Sequence, residues 1–296
     1  MGVALAQRFD GEVVSVDSMQ IYRGMAVGTA APTPEETEGV PHHMIGVADP
    51  AENWSVARFT QAADACVQDI LRRGKRPVLV GGTGLYLDAL LRGTDFAAGS
   101  QDTPLRRHLQ ERLRREGAET LLEELRRVDP DSAARLHLRD EKRILRALEV
   151  YQATGETITL HDRRTQAQPP RYEGVFVGLS FKDRQDLRDR IDCRVDDMVA
   201  RGLLDEVRSL LQSGLPRTAT AWQAIGYKQF LEVADGRMTE AEAVAEVKLR
   251  SRQYAKRQLT WLRRNEAIHW ILWDKVPDFP SGLQNATKFL TSSGVC

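Results

Sequence analysis

Apolar positions along this chain fall into two kinds of run, and the two kinds alternate at its start. Val3-Ala4-Leu5-Ala6 reads as the tail of an amphipathic helix over Met1–Phe9, with no Ser, Thr, Asp or Asn cap ahead of it. Glu12-Val13-Val14-Ser15-Val16 is short and β-branched, which predicts a buried strand ending at Asp17. Residues 54–73 carry a helical period, and Pro77-Val78-Leu79-Val80 predicts a second strand. That strand runs into Gly81-Gly82-Thr83-Gly84 and a new helix from Leu85. Strand, helix, strand, glycine turn, helix is the order of an α/β domain built on a parallel sheet.

From about Pro104 to Thr154 the pattern is helical throughout, and residues 161–172 (HDRRTQAQPPRY) read as a polar, Pro-containing connection. Gly174–Phe181 returns to β-branched and apolar residues, predicting a strand that rejoins the sheet. Helices follow near 184–201, 203–213, 220–233 and 239–264, then a last strand at Ile268–Trp273. The expected organisation is an α/β core in two parts, residues 1–100 and 173–296, interrupted by an all-helical insertion over 101–172.

Length and composition bound this reading. At 296 residues the chain exceeds a typical domain of about 100–200 residues, which suits a core with an insertion. Hydrophobic residues at 42% exclude a disordered chain. No stretch approaches the roughly 18 consecutive apolar residues of a membrane helix. With no signal peptide or lipidation motif, the expected location is the cytoplasm. Cys66, Cys193 and Cys296 are far apart and form no CxxC, so neither a disulfide framework nor a zinc site is indicated.

The formal net charge is zero, which at first argues against a nucleic-acid partner. Its distribution changes the picture. Residues 1–100 are net −4, and 101–172 and 173–296 are net +2 each. Between Lys248 and Arg264 stand seven basic residues and no acidic one. Of the 42 basic residues 34 are Arg, whose planar fork suits phosphate, although a G- and C-rich genome would inflate Arg as well.

Five places carry candidate chemistry. Asp17-Ser18-Met19-Gln20 sits at a strand's carboxyl end, where open parallel sheets bind ligands. Asp17 there suits a general base, the plain alternative being a helix cap. Gly81-Gly82-Thr83-Gly84-Leu85-Tyr86 offers backbone amides to an anion, the alternative being a tight turn with glycines at positive φ. Arg184, Arg188, Arg190 and Arg194 alternate with six aspartates, so either they pair along the helix or a subset clamps a pyrophosphate. Ala224-Ile225-Gly226-Tyr227-Lys228 joins an aromatic to a cation at a helix start. On the helix from Arg252 to Trp261 and beyond, residues 252, 256 and 263 share a face that suits nucleic-acid phosphates. Pro41-His42-His43 reads as a loop, since adjacent imidazoles on an extended chain point apart.

Taken in order, these motifs (DSMQIYRGM from Asp17, Gly28-Thr29-Ala30, Val40-Pro41-His42-His43, Gly81–Tyr86, Ile225-Gly226-Tyr227, and RQYAKRQLTW from Arg252) strongly resemble the bacterial tRNA dimethylallyltransferases over almost the whole chain. The resemblance implies a P-loop NTPase-like parallel core carrying a helical tRNA-binding insertion. It implies a monomer that transfers a dimethylallyl group from its diphosphate, with Mg²⁺, to N6 of adenine 37 in tRNAs reading codons that begin with U. Carried over, Asp17 is the general base and Thr83 joins it at the catalytic site. Ser18, Met19 and Gln20 hold the flipped base. Thr83, Arg106, Lys142, Arg143, Ile144, Leu145 and Arg146 contact the tRNA, as do Gln223, Ala224, Ile225, Gly226, Tyr227 and Lys228. Arg190 and Arg194 bind the diphosphate, and no protein residue is assigned to metal.

Two departures accompany it. The family's first strand and Gly-x-x-x-x-Gly-Lys-[Ser/Thr] loop precede the helix ending in Leu5–Phe9, and nothing precedes Met1 here. The expectation is weak donor binding, low turnover and a sheet short of its first strand. Ala31 stands where the family usually carries Lys. Other readings are an adenylate prenyltransferase or nucleotide kinase on a similar core, or an inactive RNA-binding remnant.

Overall fold

The computed structural model describes residues 1–94, 96 and 103–295. The chain divides into two units, one of Met1–Leu87 with Gly174–Cys296 and one of Asp88–Glu173.

The first unit is α/β. β1 (Gly11–Val16) is buried along its whole length and pairs in parallel with β2 (His42–His43) on one side and β3 (Arg76–Gly81) on the other. β4 (Phe176–Phe181) and β5 (Ile268–Trp273) form a second parallel pair. The strand predicted at Gly174–Phe181 therefore forms but does not rejoin the first sheet; among the described residues it pairs with β5 alone. His42 and His43, read as loop, take up two strand positions because the Pro41 carbonyl accepts from Val13 N–H (2.9 Å).

Helices cover these strands. α1 (Gly2–Arg8) buries Leu5 against Ile271 and Trp273, and Ala6 against Val13. α2 is the single turn Ala26–Thr29, and α3 (Val56–Arg72) is capped by Ser55, whose hydroxyl accepts from Arg58 N–H. α4 (Gly84–Arg92) follows the glycine turn.

The second unit is all-helical. α5 (Pro104–Val128) starts at the Thr103 cap, but the helix expected throughout is interrupted at Gly117, where φ is 83° and a side chain would be strained. α6 (Pro130–Ala134) and α7 (Glu141–Thr154) follow, and Leu109, Leu121, Leu125, Ile144 and Leu148 form the core. α8 (Ile158–Ala167) occupies much of the segment read as a connection, because Thr157 caps Leu160 N–H. Arg171 packs against Gly93 and Tyr172 N–H donates to Leu91, so the unit begins at 88; the boundary expected at 100/101 lies outside the described residues.

The returning chain forms α9 (Arg184–Ala200), α10 (Leu203–Gln212), a 3₁₀ turn at Thr220–Gln223, α11 (Tyr227–Ala234) and α12 (Glu240–Leu262). The helix expected over 220–233 is thus two pieces: extended backbone at Ala224 ends the first, and Gly226, with φ of 100°, precedes the second. α13 (Phe279–Ser292) was not predicted. Among the described residues no helix is long and apolar enough to cross a membrane.

Candidate active site

Asp17 is the first residue beyond β1. Its Oδ1 accepts the backbone N–H groups of Met19 (2.8 Å) and Gln20 (3.2 Å), a tight turn that fixes the carboxylate's direction. Oδ2 has no hydrogen-bond partner among the described residues. Gln20 is held at both ends. Its Oε1 accepts from Ser15 Oγ (2.8 Å), and its Nε2 donates to the carbonyls of Thr29 and Ala30 (3.3 Å each). Ser18 and Met19 are half-buried beside it.

β3, alongside β1, delivers the glycine turn to the same end. None of Gly81, Gly82 and Gly84 has positive φ, so their freedom of backbone is not what the turn uses. Close approach is. A Cβ would lie 2.2 Å from the Val16 carbonyl oxygen at Gly81, 2.1 Å from Gln258 Nε2 at Gly82 and 2.2 Å from Trp261 Cδ1 at Gly84. Gln258 Nε2 donates to the Gly82 carbonyl (2.9 Å), which seats α12 on the turn. Val16, Gly81–Gly84, Leu87 and Leu262 enclose a small recess, and Thr83 Oγ1 in its wall is buried without a hydrogen-bond partner.

The arginine–aspartate alternation on α9 resolves clearly. Among the described residues no α9 arginine pairs with an α9 aspartate; Asp192 and Asp196 instead bind Arg252 (2.6 Å) and Lys248 (2.6 Å) of α12. Arg252, read as facing phosphates, and Lys248 of the same basic stretch therefore hold α12 on α9. Lys256, Arg257, Arg263 and Arg264 stay exposed. Arg190 and Arg194 remain without counter-ions on their own helix. Arg194 Nη2 reaches the Thr29 carbonyl at 3.5 Å. Desolvation of its guanidinium by the surrounding protein lowers its pKa; Asp17 opposes the shift and Arg190 adds to it. Tyr86 is also within electrostatic range of Asp17. Burial chiefly, then Tyr22, Asp17 and Tyr254, push its phenol up to about 12, so it stays an O–H donor.

In the helical unit, Lys142 and Arg143 are exposed on α7 while Ile144 and Leu145 are buried in its core, where they place their neighbours rather than offer a surface. Arg106 and Arg146 converge on Glu149, at 2.7 and 3.4 Å from its Oε2. In the first unit, Gln223 and Lys228 are exposed and Ile225 half-buried, while Ala224, Gly226 and Tyr227 are buried. Tyr227 is fully buried, and its hydroxyl donates to Glu206. Ala31 is buried too. His42 and His43 are bound to the Val40 carbonyl and to Glu12, and among the described residues no three His, Cys, Asp or Glu side chains converge on a metal position.

A carboxylate with one open oxygen, in electrostatic range of Arg194 with Arg190 beside that arginine, stands at the carboxyl end of a parallel sheet, where such sheets bind ligands. The family model described as IPP transferase matches residues 20–265. The chain belongs to the IPP transferase family. It is 46% identical over 271 residues to the tRNA dimethylallyltransferase of Geobacillus thermodenitrificans, covering 92% of this chain and 85% of that one. A tRNA dimethylallyltransferase of a Thermoanaerobacter species is 39% identical over 291 residues, covering 98% and 92%. The crystal structure of the full-length tRNA isopentenylpyrophosphate transferase from Bacillus halodurans superposes with a TM-score of 0.72 at 40% identity, covering 98% of this chain and 90% of that one. A eukaryotic dimethylallyltransferase acting on tRNA gives 0.78 at 31% identity, covering 97% and 73%.

The IPP transferase match spans Thr83, Arg190, Arg194 and 223–228, and begins three residues past Asp17. Sequence reasoning did not single out Tyr86, Gln258, Glu206 or Glu149 as site residues. Tyr86 and Gln258 lie inside quoted motifs; Glu206 carries no local signal because its partners are distant in sequence, and the shorter bond of Glu149 is likewise to a distant residue, Arg106.

Proposed function

We propose that this chain is a tRNA dimethylallyltransferase, transferring a dimethylallyl group from dimethylallyl diphosphate to N6 of adenine 37 in tRNAs reading U-starting codons. The observation that carries the proposal is Asp17 with a free Oδ2 in electrostatic range of Arg194. The adenine amino group is a poor nucleophile, so Asp17 takes its proton as the new C–N bond forms. The allylic C–O bond breaks at the same centre, and the departing diphosphate's charge falls to Arg194 and Arg190. Reaching that amine requires an unstacked base, which the Asp17–Gln20 turn receives. Thr83, whose buried hydroxyl has no partner, joins Asp17 as the second catalytic residue of this reading.

On the acceptor side, Arg106, Lys142, Arg143 and Arg146 supply cations for tRNA phosphates, and Gln223 and Lys228 supply exposed polar contacts. The remaining members of these stretches set backbone position. Mg²⁺ belongs to the reading as a companion of the diphosphate. Among the described residues no three His, Cys, Asp or Glu side chains converge to hold it. The protein acts as a monomer in the cytoplasm.

Labelled dimethylallyl diphosphate incubated with tRNA and, separately, with AMP tests the proposal. Label in tRNA exceeding label in AMP supports it. The reverse ratio favours an adenylate prenyltransferase, and tRNA binding without transfer favours an RNA-binding remnant.

A further inference from the structure

The Gly28-Thr29-Ala30 segment bears on the site through its carbonyls, and what holds the segment lies nearly 180 residues away. α2 is one turn long, and its cap position, Met25, has no side-chain acceptor for the amides that a helix start leaves open. Those amides are satisfied by Glu206 of α10, whose carboxylate accepts from Val27 N–H (2.9 Å) and Gly28 N–H (3.0 Å). Tyr227 closes the arrangement. Its hydroxyl donates to Glu206 Oε1 and lies 3.2 Å from Gly28 N. Gly28 has no side chain because the Tyr227 ring needs the space: a Cβ there would sit 2.5 Å from Cε2. Burial, with Glu206 adding, pushes the Tyr227 phenol well above its ordinary value, so it remains a donor.

The clamped segment points its other end at the site. The Thr29 and Ala30 carbonyls bind Gln20 Nε2, and the Thr29 carbonyl is also the partner of Arg194. We propose that Glu206, with Tyr227, is a positioning residue for the transfer step: it fixes the 25–30 turn, whose carbonyls set the directions of Gln20 beside Asp17 and of Arg194. This rests on the prenyl-transfer reading above. Neither Glu206 nor Tyr227 touches substrate, and both act through Gln20 and Arg194.

Two measurements on the full chain test it. Amide hydrogen exchange over residues 25–31 reads the clamp directly, and is expected to accelerate at Val27 and Gly28 by at least about tenfold in Glu206→Gln. Transfer to tRNA reads its use: kcat is expected to fall by at least about tenfold with KM for tRNA changed less than about threefold. The double variant Glu206→Gln/Gln20→Ala should lose clearly less than the product of the two single losses, because part of what Glu206 does passes through Gln20 and the rest through Arg194. Unchanged exchange in Glu206→Gln, or losses that multiply in the double variant, overturns the proposal. Should Glu206→Gln fail to fold, Tyr227→Phe keeps the ring and is judged by the same two criteria. A wild-type chain that modifies no tRNA sinks the prenyl-transfer reading, while hydrogen exchange still decides whether the clamp exists.

Discussion

Glu149 offers the sharpest separation of stability from function in the helical unit. Its carboxylate is fully buried, with Oε2 shared by Arg106 (2.7 Å) and Arg146 (3.4 Å) and Oε1 without a partner. A hydrogen bond to a charged group contributes about 1.5–3 kcal/mol, and only the shorter of these two counts in full. Against it stands the cost of burying the carboxylate, several kcal/mol, and Arg106 is 27% exposed, so it can turn to water when released. Glu149→Leu removes the attraction and the burial cost together, and its stability should lie within about 1 kcal/mol of wild type. Glu149→Gln keeps a buried polar group and loses the charge, and should cost about 1–2 kcal/mol. The glutamine variant should therefore be the less stable. In a unit of this size each kcal/mol moves Tm by about 4–8 °C, which a thermal melt resolves. The leucine variant should nonetheless bind tRNA about tenfold more weakly, with the slope of log affinity against log salt reduced by about 1–2, as two phosphate contacts are lost. A leucine variant less stable than the glutamine one, or one whose tRNA affinity and salt slope are unchanged, refutes the reasoning.

Two further predictions concern the first unit. The Glu12 carboxyl is held at about 2, by Arg73 first and His43 next, against the burial that raises it. Its folded-state value lies below the ordinary 4.5, so its stabilisation is present above about pH 4.5 and drains as pH falls toward 2; Glu12→Gln should flatten that acid limb in melts at pH 3 and 7. Gly82→Ala puts a Cβ 2.1 Å from Gln258 Nε2, the end of a flexible side chain that can swing aside by giving up its bond to the Gly82 carbonyl; it should cost about 0.5–1.5 kcal/mol, and little further when added to Gln258→Ala, as denaturant titration will report.

What the sequence made legible, and what it did not, follows from the range of the forces involved. β1 and β3 were readable because short, β-branched, mainly apolar runs ending in Asp17 or in glycines have few other fates in a parallel sheet. α13 was invisible because Phe279-Pro280-Ser281-Gly282 looks like a turn. Gly282 is there because the Trp273 ring fills the space where its Cβ would be, 2.0 Å away, a packing fact that local propensity cannot carry. α8 was hidden by its polarity, although the Thr157 cap was present to be read. Asp17, Thr83, Arg190 and Arg194 are singled out as candidates by motif and position. The alternation on α9 could not be decided in sequence, because the competing partners Lys248 and Arg252 belong to another helix. Tyr227 was read as a contact for tRNA, and its burial against Gly28 gives it an internal partner that spacing could not reveal.

The central claim is that Asp17 draws the proton from an adenine amine while a diphosphate leaves toward Arg194 and Arg190. Asp17→Asn keeps the shape of the side chain and removes the base. With tRNA, labelled dimethylallyl diphosphate and Mg²⁺, mass spectrometry of the digested product should place the group on N6 of adenine 37 for wild type, and Asp17→Asn should slow transfer by about 10²–10⁴-fold while binding tRNA as before. Transfer by Asp17→Asn at the wild-type rate, or a wild-type chain that labels no adenine, would contradict the account.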